Sequence, residues 1–169
     1  MLANGLTIGR AIVSIPIVSA LLLGNQSLAL MLLVLASLTD LIDGWLARQA
    51  GGGSSWGAKM DPLADKILVI GPFLWLVKES VLPIWALWLL ISRELLITQW
   101  RSEKSKGGPA TILGKGKTIL QFLSLFLLLW PESFGGEVLN QTFLGLGISF
   151  FWASLAMAYL SAYSYIKRG

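Results

Sequence analysis

Residues 28–49 read LALMLLVLASLTDLIDGWLARQ, an apolar run that continues into a segment with two aspartates and an arginine. A helix needs about 20 predominantly apolar residues to cross the hydrocarbon core of a bilayer, so this run predicts a transmembrane helix. The whole chain has the same character, because 55% of its 169 residues are hydrophobic and 13% are charged. Such a composition is too apolar for a water-soluble surface and indicates a membrane protein.

Six apolar stretches of this kind are separated by short, turn-type breaks rich in Gly, Pro and polar residues. We predict spanning helices at 5–24, 28–49, 57–78, 81–104, 112–130 and 140–167. Because the breaks are short, they leave no room for a sizeable extramembrane domain. The sequence therefore predicts one all-α domain over residues 1–169, a polytopic membrane protein with six transmembrane helices.

The distribution of basic residues predicts the orientation, because Lys and Arg accumulate on the cytoplasmic side of membrane proteins. With the N-terminus inside, all of the 13 Lys and Arg residues except Lys78 lie at cytoplasmic helix ends or loops. We therefore expect a multi-pass protein of the cell's inner membrane with both termini in the cytoplasm. The net charge of +4 indicates contact with anionic membrane lipids. No nucleic-acid partner is expected, since the basic residues flank apolar segments instead of forming an aromatic-interleaved stripe.

Cysteine and histidine are absent from the sequence. This absence excludes thiolate nucleophiles, imidazole bases, disulfides and zinc-thiolate sites within the chain. Proton transfer would therefore depend on carboxylates, Lys or Tyr.

The four aspartates of the chain occur as two pairs on either side of a Gly-Ser segment: Asp40 with Asp43, and Asp61 with Asp65. On helices, spacings of three and four residues place each pair on one face. A carboxylate within a spanning helix is unfavourable by about 2.5–3.5 kcal/mol at the bilayer centre, and neighbouring carboxylates repel each other. A hard divalent cation, Mg²⁺ or Mn²⁺, removes both penalties, so we predict that the pairs bind metal. The alternative is that they form interfacial salt bridges with Arg48, Lys59 and Lys66.

Small residues lie beside these acids. Gly44 and Ala47 follow Asp43, and Gly57 lies one turn before Asp61. Each one alone is typical of ordinary helix packing in membranes. Together with the acids they outline a pocket for a ligand that lies against the helix backbone.

The complete pattern, Asp40-x2-Asp43-Gly44-x2-Ala47-Arg48-x8-Gly57-x3-Asp61-x3-Asp65, resembles the signature of the CDP-alcohol phosphotransferase family at every position. The resemblance implies a homodimer whose six helices surround a cytoplasm-facing polar cavity. It also implies that the four aspartates bind two divalent metal ions and that Asp65 is the general base. The residues that would bind the CDP moiety are Asp40, Gly44, Ala47, Arg48, Gly57 and Asp61.

Other segments resemble one branch of that family more narrowly, the phosphatidylglycerophosphate synthases. These segments are the opening Asn4-Gly5-Leu6-Thr7-x2-Arg10, Ser92-Arg93-Glu94-x6-Arg101, and Thr111-x2-Gly114-Lys115-x-Lys117-Thr118-x2-Gln121. Ala3 and Ser102 depart from that branch, which would have Pro and Glu there. The resemblance implies that CDP-diacylglycerol and glycerol 3-phosphate are the substrates.

The phosphate of glycerol 3-phosphate needs cations of its own, and Arg is suited to bidentate phosphate contact. We predict that Arg93, Arg101, Lys115 and Lys117 supply them, although basic residues at these helix ends also fit ordinary positive-inside decoration. Arg10 and Arg93 are expected to lie deeper than the lipid headgroups and to need an anionic partner.

Three alternatives remain open at this point. A sister transferase would use inositol phosphate, serine or phosphatidylglycerol as the acceptor. A prenyl transferase also uses Asp-rich helices with Mg²⁺, but its motifs are spaced differently. A cation transporter, the non-enzymatic alternative, would explain intramembrane carboxylates, but its sites are expected near the bilayer midplane.

Overall fold

The structure is a computed structural model that describes the backbone of residues 2–49, 55–103 and 112–168, and the side chains of 12–39, 66–99 and 114–164. Six α-helices and one short 3-10 helix, and no strand, occur in these ranges. The helices are α1 (Leu2–Leu22), α2 (Gln26–Gln49), α3 (Ser55–Lys78), α4 (Ile84–Glu103), α5 (Ile112–Leu128) and α6 (Glu137–Arg168). The six predicted helices are confirmed, with boundaries that differ by two to three residues at most ends.

The chain forms two compact units, each considered by itself. One comprises the described residues of Met1–Trp75 with Leu129–Pro131, and the other those of Leu76–Leu128 with Glu132–Gly169. Helix α3 belongs to both, since its last turn lies in the second unit. In the first unit α1 packs against α2. It also approaches α3 closely, because a Cβ added to Gly71 would lie 2.8 Å from Cγ2 of Val18.

The turn between α1 and α2 is built by Gly24 and Asn25. Gly24 has a φ of 76°, a left-handed conformation that glycine adopts without steric cost. The amides of Gly24 and Asn25 donate to the carbonyls of Leu21 (3.0 Å) and Ala20 (2.8 Å), so the last carbonyls of α1 are satisfied. The Asn25 side chain then accepts a hydrogen bond from the amide of Leu28 (3.0 Å) and caps α2. The break predicted at this position therefore consists of the C-terminal cap of α1, followed directly by the N-terminal cap of α2.

The turn between α3 and α4 has the same hydrogen-bond pattern without a glycine. Ser80 has a φ of 60°, and the amides of Ser80 and Val81 donate to the carbonyls of Val77 (3.0 Å) and Leu76 (2.9 Å). These bonds hold Val81 outside α4. The helix begins at Ile84, directly after Pro83, whereas the sequence predicted a start at 81. The prediction was three residues early because Val81 and Leu82 are apolar but belong to the turn.

Helices α5 and α6 pack closely in the second unit. The hydroxyl of Ser124 donates to the carbonyl of Gly147 (2.8 Å), and both residues are buried. A Cβ added to Gly147 would lie 2.6 Å from Cγ of Leu128, so glycine is what allows this close approach. The connection between the helices holds the 3-10 helix Glu132–Phe134. The Asn140 side chain donates to the carbonyl of Glu132 (3.0 Å) and so ties this connection to the first turn of α6.

Helix α4 contacts α6 through its first half. The rings of Trp85 and Trp152 lie 5.3 Å apart, and the hydroxyl of Tyr159 donates to the carbonyl of Leu89 (3.2 Å). Further along, Arg93 of α4 also reaches α6. Helix α4 is therefore held to α6 at three successive levels.

Many large apolar side chains are exposed on the described helices, such as Ile84 (73%), Leu96 (70%) and Trp88 (65%). Within the described residues, one helical segment, Glu137–Ser164, is both long enough and apolar enough to cross a membrane. Only 28% of its most apolar stretch is buried inside the protein, whereas the core helix of a soluble protein is mostly buried.

Candidate active site

The four aspartates lie on two consecutive helices of the first unit. Asp40 and Asp43 lie in the second half of α2, and Asp61 and Asp65 in the first half of α3. Both pairs thus have the helical backbone that the spacing argument requires. Their side chains lie outside the described residues, so metal binding and the role of Asp65 as general base stay predictions.

The residues predicted to bind the CDP moiety share this placement. Gly44, Ala47 and Arg48 belong to the end of α2, and Gly57 belongs to the start of α3. Their side-chain environments lie outside the described residues as well. Among the described side chains, no group of three or more acidic residues could hold a metal ion.

The donor set of the predicted metal site fits a hard divalent cation on chemical grounds. Four carboxylates from two helices supply only oxygen ligands, which Mg²⁺ and Mn²⁺ prefer. A soft or borderline metal would need sulfur or imidazole ligands, and the chain has neither Cys nor His.

Four basic residues were predicted to hold the phosphate of the acceptor, and the structure brings two of them together. Arg93 on α4 and Lys117 on α5 are buried and share one acidic partner. Lys115 is exposed near the start of α5. Arg101 lies near the end of α4, with its side chain outside the described residues.

The acidic partner is Glu94, and the three charged side chains form a cluster that we call the ion triad: Arg93, Glu94 and Lys117. Nη1 of Arg93 donates to Oε1 of Glu94 at 2.8 Å. Nζ of Lys117 donates to the same oxygen. The whole residues are 5%, 9% and 8% exposed, respectively, and they are the buried charged residues of the described chain.

The ion triad joins three helices. Besides its bond to Glu94, Arg93 donates from Nε to the backbone carbonyl of Ala158 on α6 at 2.7 Å. Lys117 comes from α5, and the other two members come from α4. The guanidinium plane is thus fixed by two bonds to different helices, and the net charge of the triad is +1.

The sequence indicated part of this cluster. Arg93 was expected to lie deep and to need an anionic partner, and that partner is Glu94, its neighbour in the chain. Glu94 itself was not predicted as a site residue. The signal was available, since Glu94 stands inside the Ser92-Arg93-Glu94 run. Its pairing with Lys117, however, joins residues 23 positions apart and follows only from the tertiary arrangement, in which α4 and α5 both contact α6.

Comparison with known proteins covers nearly the whole chain. A sequence profile of the CDP-alcohol phosphatidyltransferase family matches residues 1–160. The CDP-diacylglycerol–glycerol-3-phosphate 3-phosphatidyltransferase of Rickettsia bellii is 34% identical over 174 residues, which cover 98% of this chain and 93% of the relative. Proteins of the same name from Bacillus subtilis and Pectobacterium atrosepticum are each 31% identical, over 81% and 83% of this chain and 70% and 77% of the relatives.

The profile match at residues 1–160 includes both aspartate-bearing helices and the ion triad. These matches confirm the resemblance that the aspartate pattern predicted. The chain therefore belongs to the CDP-alcohol phosphatidyltransferase family of enzymes.

Proposed function

We propose that this enzyme transfers the phosphatidyl group of CDP-diacylglycerol to glycerol 3-phosphate, giving phosphatidylglycerophosphate and CMP. The observation that carries the proposal is the similarity of nearly the entire chain to relatives that bear this activity in their names. The ion triad adds support for the acceptor, because it places a guanidinium and an ammonium from two helices in one cluster of net positive charge.

The reaction is a displacement at the phosphorus that carries diacylglycerol. A hydroxyl oxygen of the acceptor forms a new bond to this phosphorus, while the bond to the bridging oxygen breaks and CMP leaves with that bonding pair. Asp65 accepts the proton of the attacking hydroxyl, a role that requires a carboxylate within hydrogen-bond reach. With neither His nor Cys in the chain, carboxylates, Lys and Tyr are the side chains that remain for this step, and Asp65 is the carboxylate that we assign to it.

Asp40, Asp43, Asp61 and Asp65 together would hold divalent metal, Mg²⁺ or Mn²⁺, as two ions. Such ions neutralise the phosphates of CDP-diacylglycerol and stabilise the charge on the leaving oxygen. The support for this assignment is the all-oxygen donor set on α2 and α3. Gly44, Ala47, Arg48 and Gly57, with Asp40 and Asp61, would bind the CDP moiety.

The phosphate of glycerol 3-phosphate would be held by Arg93, Arg101, Lys115 and Lys117. A phosphate dianion needs positive charge that is separate from the charge that neutralises the donor phosphates, since two uncompensated phosphates would repel each other. Arg93 and Lys117 suit this role because each presents several N–H donors from a cluster of net charge +1. Lys115 is exposed and free of packing constraints on its reach.

We further propose that the enzyme is a multi-pass homodimer of the cell's inner membrane, with six transmembrane helices, cytoplasmic termini and a polar cavity open to the cytoplasm. The described helices contain 17 to 32 residues, which reach about 26 to 48 Å at 1.5 Å per residue. These lengths match the roughly 30 Å hydrocarbon core of a bilayer. The exposed Leu, Ile and Trp side chains of α1, α2, α4 and α6 would face lipid.

Release of CMP by the purified enzyme tests the proposal. Detergent-solubilised protein with CDP-diacylglycerol and Mg²⁺ should release CMP when glycerol 3-phosphate is added, and little without it. Inositol phosphate, serine and phosphatidylglycerol are the matched acceptors. Faster release with one of these would identify a sister transferase, and no acceptor-dependent release with any of them would overturn the enzymatic proposal.

A further inference from the structure

The ion triad places three charges in a part of the protein where each residue is less than 10% exposed. A buried ion pair is rarely more stable than well-packed apolar residues of the same size, because removing the charges from water costs several kcal/mol per ion. Stability alone therefore gives little reason for Arg93, Glu94 and Lys117 to be buried together. A functional role, in which the charges bind a ligand, would explain their arrangement better.

Glu94 has a specific place in this arrangement. Its Oε1 accepts hydrogen bonds from both Arg93 on α4 and Lys117 on α5, so one oxygen holds two cations side by side. Without a negative charge between them, two buried cations repel each other, and the flexible side chain of Lys117 would move away. Arg93 is additionally fixed by the carbonyl of Ala158 on α6 (2.7 Å), so it has a second anchor besides Glu94.

We propose that Glu94 is a positioning residue of the acceptor-phosphate site: its carboxylate fixes Arg93 and Lys117 in the arrangement that receives the phosphate of glycerol 3-phosphate. The inference rests on the proposed function and adds a residue to it. Glu94 acts through the two cations, and the phosphate is bound by their N–H groups. Because two cations share one carboxylate, the triad keeps a net charge of +1 with which to attract the anion.

Steady-state kinetics of Glu94→Gln and Glu94→Asp test this role. In Glu94→Gln we expect the KM for glycerol 3-phosphate to rise by roughly 10-fold, the size of one lost charge-assisted contact, while the KM for CDP-diacylglycerol changes less than about 2-fold. Glu94→Asp keeps the charge and should restore part of the acceptor affinity. Glu79→Gln is the matched control, because it removes a carboxylate from the exposed Lys78–Glu79 pair (2.6 Å) and should leave both KM values unchanged.

A double variant tests whether Glu94 acts through Lys117. Adding Glu94→Gln to Lys117→Met should raise the acceptor KM less than about 2-fold beyond that of Lys117→Met alone, because contacting residues are not additive. If Glu94→Gln does not fold, Glu94→Asp still decides the question, since it keeps the carboxylate. The double variant also helps, because it leaves one buried cation without a carboxylate instead of two, and that cation, Arg93, still donates to the carbonyl of Ala158.

Two outcomes would count against the inference and are distinguishable. An active wild-type enzyme whose acceptor KM is unchanged in the folded Glu94 variants would make the triad purely structural and would overturn the inference alone. A wild-type enzyme that releases no CMP in response to glycerol 3-phosphate would overturn the proposed function and this inference with it.

Discussion

At the scale of single residues, the charged residues of the proposed site form two sets, for which we propose different tasks. The four aspartates lie on α2 and α3, whereas the buried cations lie on α4 and α5. We propose opposite partners for the two sets, metal ions for the carboxylates and a phosphate for the cations. Two predictions at this scale address the sets separately.

The first prediction is that Asp61→Asn and Asp65→Asn each lower kcat/KM by roughly 100-fold or more, about 2.7 kcal/mol of transition-state stabilisation. The change keeps the size of the side chain and removes the charge that binds metal. Chelation of divalent metal should abolish activity as well. Metal content measured on the purified variants separates the roles, because Asp65→Asn can lose the base while metal stays bound.

Glu132→Gln is the control for this prediction, since Glu132 is an exposed carboxylate in the connection between α5 and α6. Its activity should equal that of the wild type. Wild-type turnover with unaltered metal dependence in Asp61→Asn would contradict the shared metal site.

The second prediction is that Arg93→Gln and Lys115→Gln raise the KM for glycerol 3-phosphate by roughly 10- to 100-fold, as expected for loss of a contact worth about 1.5–3 kcal/mol. The KM for CDP-diacylglycerol should change little. Both constants are obtained by varying each substrate in turn. Lys78→Gln, which removes an exposed Lys at the end of α3, is the matched control. An acceptor KM that stayed at the wild-type value in both variants would contradict the phosphate contact. Arg93 and Lys115 would then reflect only the excess of basic residues on the cytoplasmic side.

The residue scale also marks the limit of sequence reasoning. Arg93 could be predicted to need an anion, because an isolated cation away from water is unfavourable. That the anion is Glu94, and that it also binds Lys117, depends on how α4 and α5 are each placed against α6, which no local pattern encodes.

At the scale of secondary structure elements, the close contact of α5 with α6 depends on one missing side chain. An added Cβ at Gly147 would lie 2.6 Å from Cγ and 2.7 Å from Cδ2 of Leu128, whereas one at Gly145 meets nothing within 4 Å. Of these two glycines, which are two positions apart on α6, only Gly147 is required by the close packing of the helices.

The third prediction uses this difference. Gly147→Ala should destabilise the protein by about 1–3 kcal/mol, because the methyl group forces the helices apart. Gly145→Ala should be neutral or stabilising by up to about 1 kcal/mol, because alanine is the better helix former where space is free. Thermal unfolding of both variants in detergent measures the shifts, and an equal loss in both would show that the contact with Leu128 is unimportant.

Helix positions were largely predictable from the sequence, whereas helix ends were less so. Apolar stretches and Gly-rich breaks located all six helices, because both follow from the needs of a spanning segment. The start of α4 at Ile84 was missed since Val81 and Leu82 look helical, and only the left-handed Ser80 with its cap bonds excludes them.

At the scale of the whole molecule, the distribution of charge predicts the orientation in the membrane. All but Lys78 of the 13 basic residues lie on one side if the N-terminus is cytoplasmic. Lys78 is exposed at the end of α3 and forms an ion pair with Glu79. Because its charge is compensated, Lys78 argues only weakly against this orientation.

The fourth prediction is that both termini and the segments 50–56 and 105–111 face the cytoplasm. Because the chain has no Cys, single cysteines report position without further changes. Gly53→Cys should resist an impermeant thiol reagent applied outside intact cells and react after the membrane is opened. Glu132→Cys, in the connection between α5 and α6, should react from outside in both cases. Labelling of Gly53→Cys from outside would refute this orientation.

The ion triad also bears on the way the chain is made. Arg93 and Glu94 are neighbours on α4, so in the proposed topology that helix would bring a cation and an anion into the membrane together. Lys117 emerges from the ribosome 23 residues after Glu94, when its carboxylate partner has already been synthesised. The carbonyl of Ala158, which holds Arg93, comes last. Synthesis in chain order therefore supplies the carboxylate of Glu94 before Lys117 is made. If α5 preceded α4 in the chain, Lys117 would be made before its carboxylate partner.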